Sequence, residues 1–170
     1  MRARVFFTFI TIFLAVPCAI AAESALYDDR ECSIIADRLA TAVPGLKFRK
    51  LQKINDGKDA SIIFFTHPNA QEVSIGCPVE GISKEPDINV DWKDSFPPRG
   101  YFDLVAQMAA VILPMSPDKI RANVVKCQEG ARAAEDQTND VDGDDGMRYE
   151  CSSFGGSSQV TVLKHDGSSK

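Results

Sequence analysis

The chain has 170 residues, 44% of them hydrophobic and 25% charged, with 24 acidic against 19 basic side chains and a formal charge of −5. That is enough apolar material for one domain with a proper core. The acidic balance argues against nucleic acid or an anionic membrane as the main partner.

Residues 1–22 open basic with Met1-Arg2-Ala3-Arg4, run apolar from Val5 to Val16, and reach small residues at Ala19, Ala21 and Ala22. A basic start, a short apolar run and a small-residue exit form the pattern of a secretory signal peptide. Pro17 cuts the run short of the roughly 20 residues that a spanning helix needs, so removal is expected rather than retention as an anchor. Residues 23–170 are then a single exported domain, periplasmic or extracellular, made still more acidic by the loss of Arg2 and Arg4. Beyond the leader stand Cys32, Cys77, Cys127 and Cys151. An even number behind an export signal predicts two disulfides, and no two of these cysteines have the close spacing of zinc ligands. Cys32–Cys77 with Cys127–Cys151 is the expected pairing, because it joins elements that follow one another in the chain.

Asp28 with Glu31 reads as a capping box, and Cys32, Ile35, Leu39 and Val43 recur at helical spacing until Pro44-Gly45 ends the helix. Leu46 to Ile54 predicts a strand, and Asn55-Asp56-Gly57 a tight turn. Ser61 to Phe65 is apolar on both faces, as in a strand inside a sheet that helices cover at least in part. Val73, Ile75 and Cys77 alternate with Ser74 and Gly76, while residues 78–86 read as a loop. Ile88, Val90 and Trp92 alternate with Asn89, Asp91 and Lys93, so one face is buried and the other wet.

Gly100 to Leu113 is apolar on nearly every side, the mark of a helix buried by its neighbours. Pro114 breaks it. Ser116 as cap and Pro117 at the first position then open a second helix with Ile120, Val124, Cys127 and Ala131 as its inward stripe. Residues 135–146 turn acidic and lose apolar side chains, which reads as a mobile surface loop. Met147–Phe154 and Gln159–His165 predict a hairpin around Gly155-Gly156-Ser157-Ser158. The expected fold class is therefore α+β: a short N-terminal helix, four mainly antiparallel strands, two consecutive helices and a C-terminal β-hairpin, held by two disulfides.

That element order resembles the secretion-chaperone-like fold, which sets a helix before three strands and another before a strand pair. The resemblance rests on element order, without a shared motif. This chain departs from it in an extra strand around Trp92, in lacking a final helix, and in its export signal and disulfides. It implies binding of unfolded or partly folded protein segments, carried over by analogy of fold alone.

Candidate sites are few. Asp140, Asp142 and Asp144 alternate as calcium ligands do, but Asp145 stands where a calcium loop needs glycine and Cys151 where it needs the bidentate glutamate. His67 and His165 have no second ligand at i+2 to i+4. There is no Gly-x-Ser-x-Gly elbow, phosphate loop or dinucleotide fingerprint, so no catalytic residue and no cofactor is assigned. Lys47, Arg49, Lys50 and Lys53 put positive charge on both faces of one strand. This suits an edge protected from unwanted pairing, and the same residues could dock an acidic partner. Trp92, Tyr101 and Phe102 fall within patterns that already account for their burial. The expectation is a non-enzymatic, protein-binding or chaperone-like exported module. The alternative is a small periplasmic hydrolase or ligand-binding protein with a site near His67 and the Pro97–Gly100 connector.

Overall fold

The computed structural model describes residues 30–55, 60–77, 86–113, 115–143 and 146–164. The leader, Asp28 of the capping box, the turn at Asp56-Gly57, the loop over 78–85, Asp144, Asp145, His165 and the tail lie outside the described residues. In chain order the elements are α1 (Arg30–Ala42), β1 (Lys47–Ile54), β2 (Ala60–Thr66), β3 (Glu72–Cys77), β4 (Asp87–Trp92), α2 (Arg99–Ile112), α3 (Pro117–Ala133), β5 (Thr138–Asp142), β6 (Met147–Ser152) and β7 (Ser158–Lys164).

The strands build one antiparallel sheet in the order β1-β2-β3-β4-β7-β6-β5. Period-two alternation decides its faces. Along β2, β3 and β4 the buried positions are Ile63 and Phe65, Val73 and Ile75, Ile88 and Val90. Strand pairing carries this apolar set across the sheet, so that Phe65, Val73, Val90, Val160 and Cys151 form one row of cross-strand neighbours. All three helices pack on this side: α1 over β1 and β2, α2 over β4, and α3 over β5 to β7. The other face carries no helix among the described residues.

α2 is the centre of the core. Tyr101, Leu104, Val105, Met108 and Ala109 are all buried, and the Tyr101 hydroxyl donates to the Val90 carbonyl oxygen at 2.7 Å. Burial pushes the Tyr101 phenol far up, so it keeps its proton and remains a donor. α3 follows its expected stripe, with Ile120, Val124, Cys127 and Ala131 buried. Ser116 does hold the N-cap position, but its side chain makes no capping hydrogen bond. α1 ends where the chain takes a positive φ of 85° at Gly45, a conformation that glycine adopts without steric cost.

Both disulfides form as the cysteine order predicts. Cys32 on α1 joins Cys77 on β3, and Cys127 on α3 joins Cys151 on β6, with Cα separations of 5.5 and 5.8 Å. Each fixes a helix to the sheet.

One expectation is overturned. The sheet has seven strands, because β5 lies inside 135–146, which reads as a loop from composition. Its single apolar side chain, Val141, is buried, and tertiary contacts supply the rest. The Asn139 side-chain amide donates to the Cys127 carbonyl oxygen at 3.2 Å. Gly130 permits this approach, since a Cβ there would stand 2.3 Å from Asn139 Nδ2. On the opposite face Arg148 pairs with Asp140 at 2.5 Å, offsetting the acidic charge that made the segment look mobile. Asp136 Oδ1 accepts from the Thr138 amide at 3.2 Å where the strand begins.

Candidate functional site

Register, more than any one motif, assembles a site on the helix-free face. Glu72 of β3 is the cross-strand partner of Asp91 of β4, Asp91 of Gln159 of β7, and Gln159 of Ser152 of β6. These four residues line a groove of about 620 Å³ that crosses four neighbouring strands at one end of the sheet. Arg49 and Gln71 flank Glu72, while Trp92, Phe154 and Ser157 stand at the strand ends. Phe154, in the β6–β7 turn, is 72% exposed. That turn is tied to the β4–α2 connector by a hydrogen bond from Ser158 Oγ to the Asp94 carbonyl oxygen, 2.9 Å.

The electrostatics are uneven. Glu72 and Asp91 are like charges placed side by side, an unfavourable pair unless something offsets it. Arg49 does so for Glu72, with a guanidinium nitrogen 3.6 Å from Oε2. Asp91 is less well served. Its Oδ1 is shielded from water and has no hydrogen-bond partner among the described residues. Partial burial raises its carboxyl above the usual aspartate range, a hydrogen bond from the Gln159 side chain pulls it down, and Glu72 pushes it up further.

A carboxyl whose folded-state pKa lies above its unfolded value binds its proton more tightly when folded. Stability then falls as pH rises through the interval between the two values. The penalty is absent below the unfolded value and fully present above the folded one. Asp91→Asn should therefore be more stable than the parent at pH 7, by less than about 1 kcal/mol because water reaches part of the site. The two should converge near pH 3, roughly where an ordinary aspartate is already protonated. Urea unfolding at both pH values measures this. A loss of stability at pH 7 would show that the carboxylate's bond to Gln159 outweighs its desolvation.

The residues singled out from sequence are distributed as follows. β1 is an edge strand, paired only with β2. Arg49 turns to Glu72, and the Lys50 ammonium lies 4.4 Å from the Phe64 ring centroid and 3.2 Å from Gln52 Oε1. Lys47 and Lys53 are exposed on the same strand. The structure thus brings Arg49 into the groove and leaves the other three bases along the edge. Asp140 and Asp142 sit on the far edge strand, where Asp140 is paired with Arg148. Among the described residues no group of three or more His, Cys, Asp or Glu side chains could hold a metal ion.

His67 has both ring nitrogens engaged with backbone. Nδ1 accepts from the Asn69 amide at 3.1 Å, which leaves the proton on Nε2 to be donated to the Pro44 carbonyl oxygen, also 3.1 Å away. Asn69 in turn packs against Gly100, where a Cβ would stand 2.6 Å from Asn69 Nδ2. His67 and the 97–100 connector are therefore neighbours, joined through a turn. Tyr101 is core, as its pattern implies. Trp92 packs against the core and also lines the groove.

Asp91, Glu72 and Gln159 are the site residues that reading the sequence missed. Each occupies an ordinary wet-face position in an alternating strand. The one available signal was an aspartate directly beside the chain's single tryptophan. The chain matches no protein-family model, no curated protein and no solved structure.

Proposed function

We propose that the chain is an exported, non-enzymatic binding module that takes a segment of a partner protein across the helix-free face of its sheet, anchored at the Glu72–Asp91 groove. The observation that carries this reading is Asp91, a half-buried carboxylate beside Glu72 with one oxygen lacking a hydrogen-bond partner among the described residues, in a groove that crosses four strands. A protein tolerates such a group where a ligand completes it, and perturbed carboxyls in clefts concentrate at functional sites. An extended segment suits the place better than an enclosed small molecule, because on the same face a second polar row of cross-strand neighbours, Ser74, Asn89 and Thr161, lies beside the groove residues. Two disulfides and the signal-like leader support export. No helix among the described residues is long and apolar enough to cross a membrane.

The test is site-specific photo-crosslinking in the producing cell, with the reactive side chain placed at Ser157 in the groove or at Lys119 on the outward side of α3. A discrete adduct from Ser157 with none from Lys119 is the expected result. Adducts from Lys119 alone, or identical ladders from both positions, would remove the open face as the binding surface.

A further inference from the structure

We infer that the group the groove takes from its partner is a lysine or arginine side chain. This names the ligand chemistry of the site just described and rests on that reading.

Three observations point the same way. The first is a count of charge. Glu72 and Asp91 are immediate cross-strand neighbours, and Arg49 contacts Glu72 at 3.6 Å. One guanidinium faces two carboxylates, so the groove carries unbalanced negative charge that a single cation would neutralise. The second is an unsatisfied acceptor. Asp91 Oδ1 accepts no hydrogen bond among the described residues, whereas ammonium and guanidinium groups bring three and five N–H donors. The third is the apolar boundary. Phe154, 72% exposed, borders the same groove, and aromatic faces attract cations while also covering the methylene stem of a long basic side chain. A neutral residue could donate to Asp91 or pack on the aromatic boundary but would leave the charge unbalanced, and an acidic one would add to it.

Trp92 is the chain's single tryptophan and lines the groove, so its fluorescence reports occupancy directly. The oxidised full-length protein is titrated with short Gly/Ser-flanked peptides carrying one lysine, one arginine, one acetyl-lysine or one glutamate, and separately with free butylamine. Saturable changes with the lysine or arginine peptide, and much weaker ones with acetyl-lysine and glutamate, are expected. Affinity should fall about tenfold in Asp91→Asn, the scale of one lost charge-assisted hydrogen bond, and should weaken on raising the salt. Glu72→Gln should weaken binding in the same direction. Asp140→Asn, on the far edge strand, should not.

Equal binding of acetyl-lysine and lysine peptides, or an unchanged affinity in Asp91→Asn, would overturn the inference. Butylamine binding as tightly as the peptides would overturn a partner side chain as the source. If Ser157 crosslinking persists while the basic peptides fail, the cation assignment falls and the open-face reading stands. If crosslinking is lost as well, both fall.

Discussion

Replacing Cys32 and Cys77 together by alanine is expected to lower the unfolding free energy by about 4 kcal/mol, the figure the chain-entropy account assigns to closing a loop of this length. The two cysteines are 45 residues apart in sequence. The second bridge, with a separation of 24, should be worth somewhat less, about 3 kcal/mol. Against a total stability of roughly 5–15 kcal/mol for a domain, either loss leaves a marginal protein. Urea unfolding of the two double-alanine variants checks both the size and the order. A larger loss from the shorter loop would show that packing of Cys127 and Cys151 in the native core dominates over the unfolded chain's freedom. The first bridge joins α1 to β3, so its removal also takes away the covalent tie of the helix that, among the described residues, covers β1 and β2.

Tyr101→Ala should cost about 3–5 kcal/mol, the range for truncating a large buried aromatic side chain. Tyr101 is fully buried at the first turn of α2 and donates to the Val90 carbonyl at 2.7 Å. Tyr101→Phe separates the two contributions. It keeps the ring and loses only the hydroxyl's bond, for about 1 kcal/mol. Chemical denaturation of the pair measures the difference. The change also reaches the groove, because Val90 directly precedes Asp91 and Trp92 on β4. Tyr101→Ala should therefore shift Trp92 emission in the folded protein, whereas Tyr101→Phe should leave it close to the parent. Comparable losses from the two variants would mean that α2 docks through its hydroxyl rather than its bulk.

The secondary structure was readable wherever apolar residues kept a period. Leu104, Met108, Val124 and Cys127 announced their helices, and Ile63, Ile75 and Val90 their strands, because each packs on a continuous apolar face. The disulfide pairing followed from the order of elements. β5 escaped because one valine among aspartates carries no period. What makes it a strand is Asn139 reaching Cys127 on α3 and Arg148 of β6 reaching Asp140, contacts with the elements on either side of it in the chain. The groove escaped for a related reason. Glu72, Asp91, Gln159 and Ser152 come from four strands, and only the pairing register sets them in one row. From sequence each is one polar residue on a solvated face, and only the neighbouring Trp92 sets Asp91 apart from Asp87 or Asn89.

The way the bridges divide the sheet bears on how the protein is made. Cys32 and Cys77 both precede α2, Cys127 and Cys151 both follow it, and the two groups of strands meet at the β4–β7 pair. A polypeptide emerges N-terminus first, and its parts begin to fold in that order. Cys32 and Cys77 can be oxidised before Cys127 exists, so neither downstream cysteine competes for them. In the finished fold both cysteines of that first bridge are buried, away from attack by a free thiolate. Consecutive pairing thus reduces the mismatched bonds that in-order oxidation of such a chain could form.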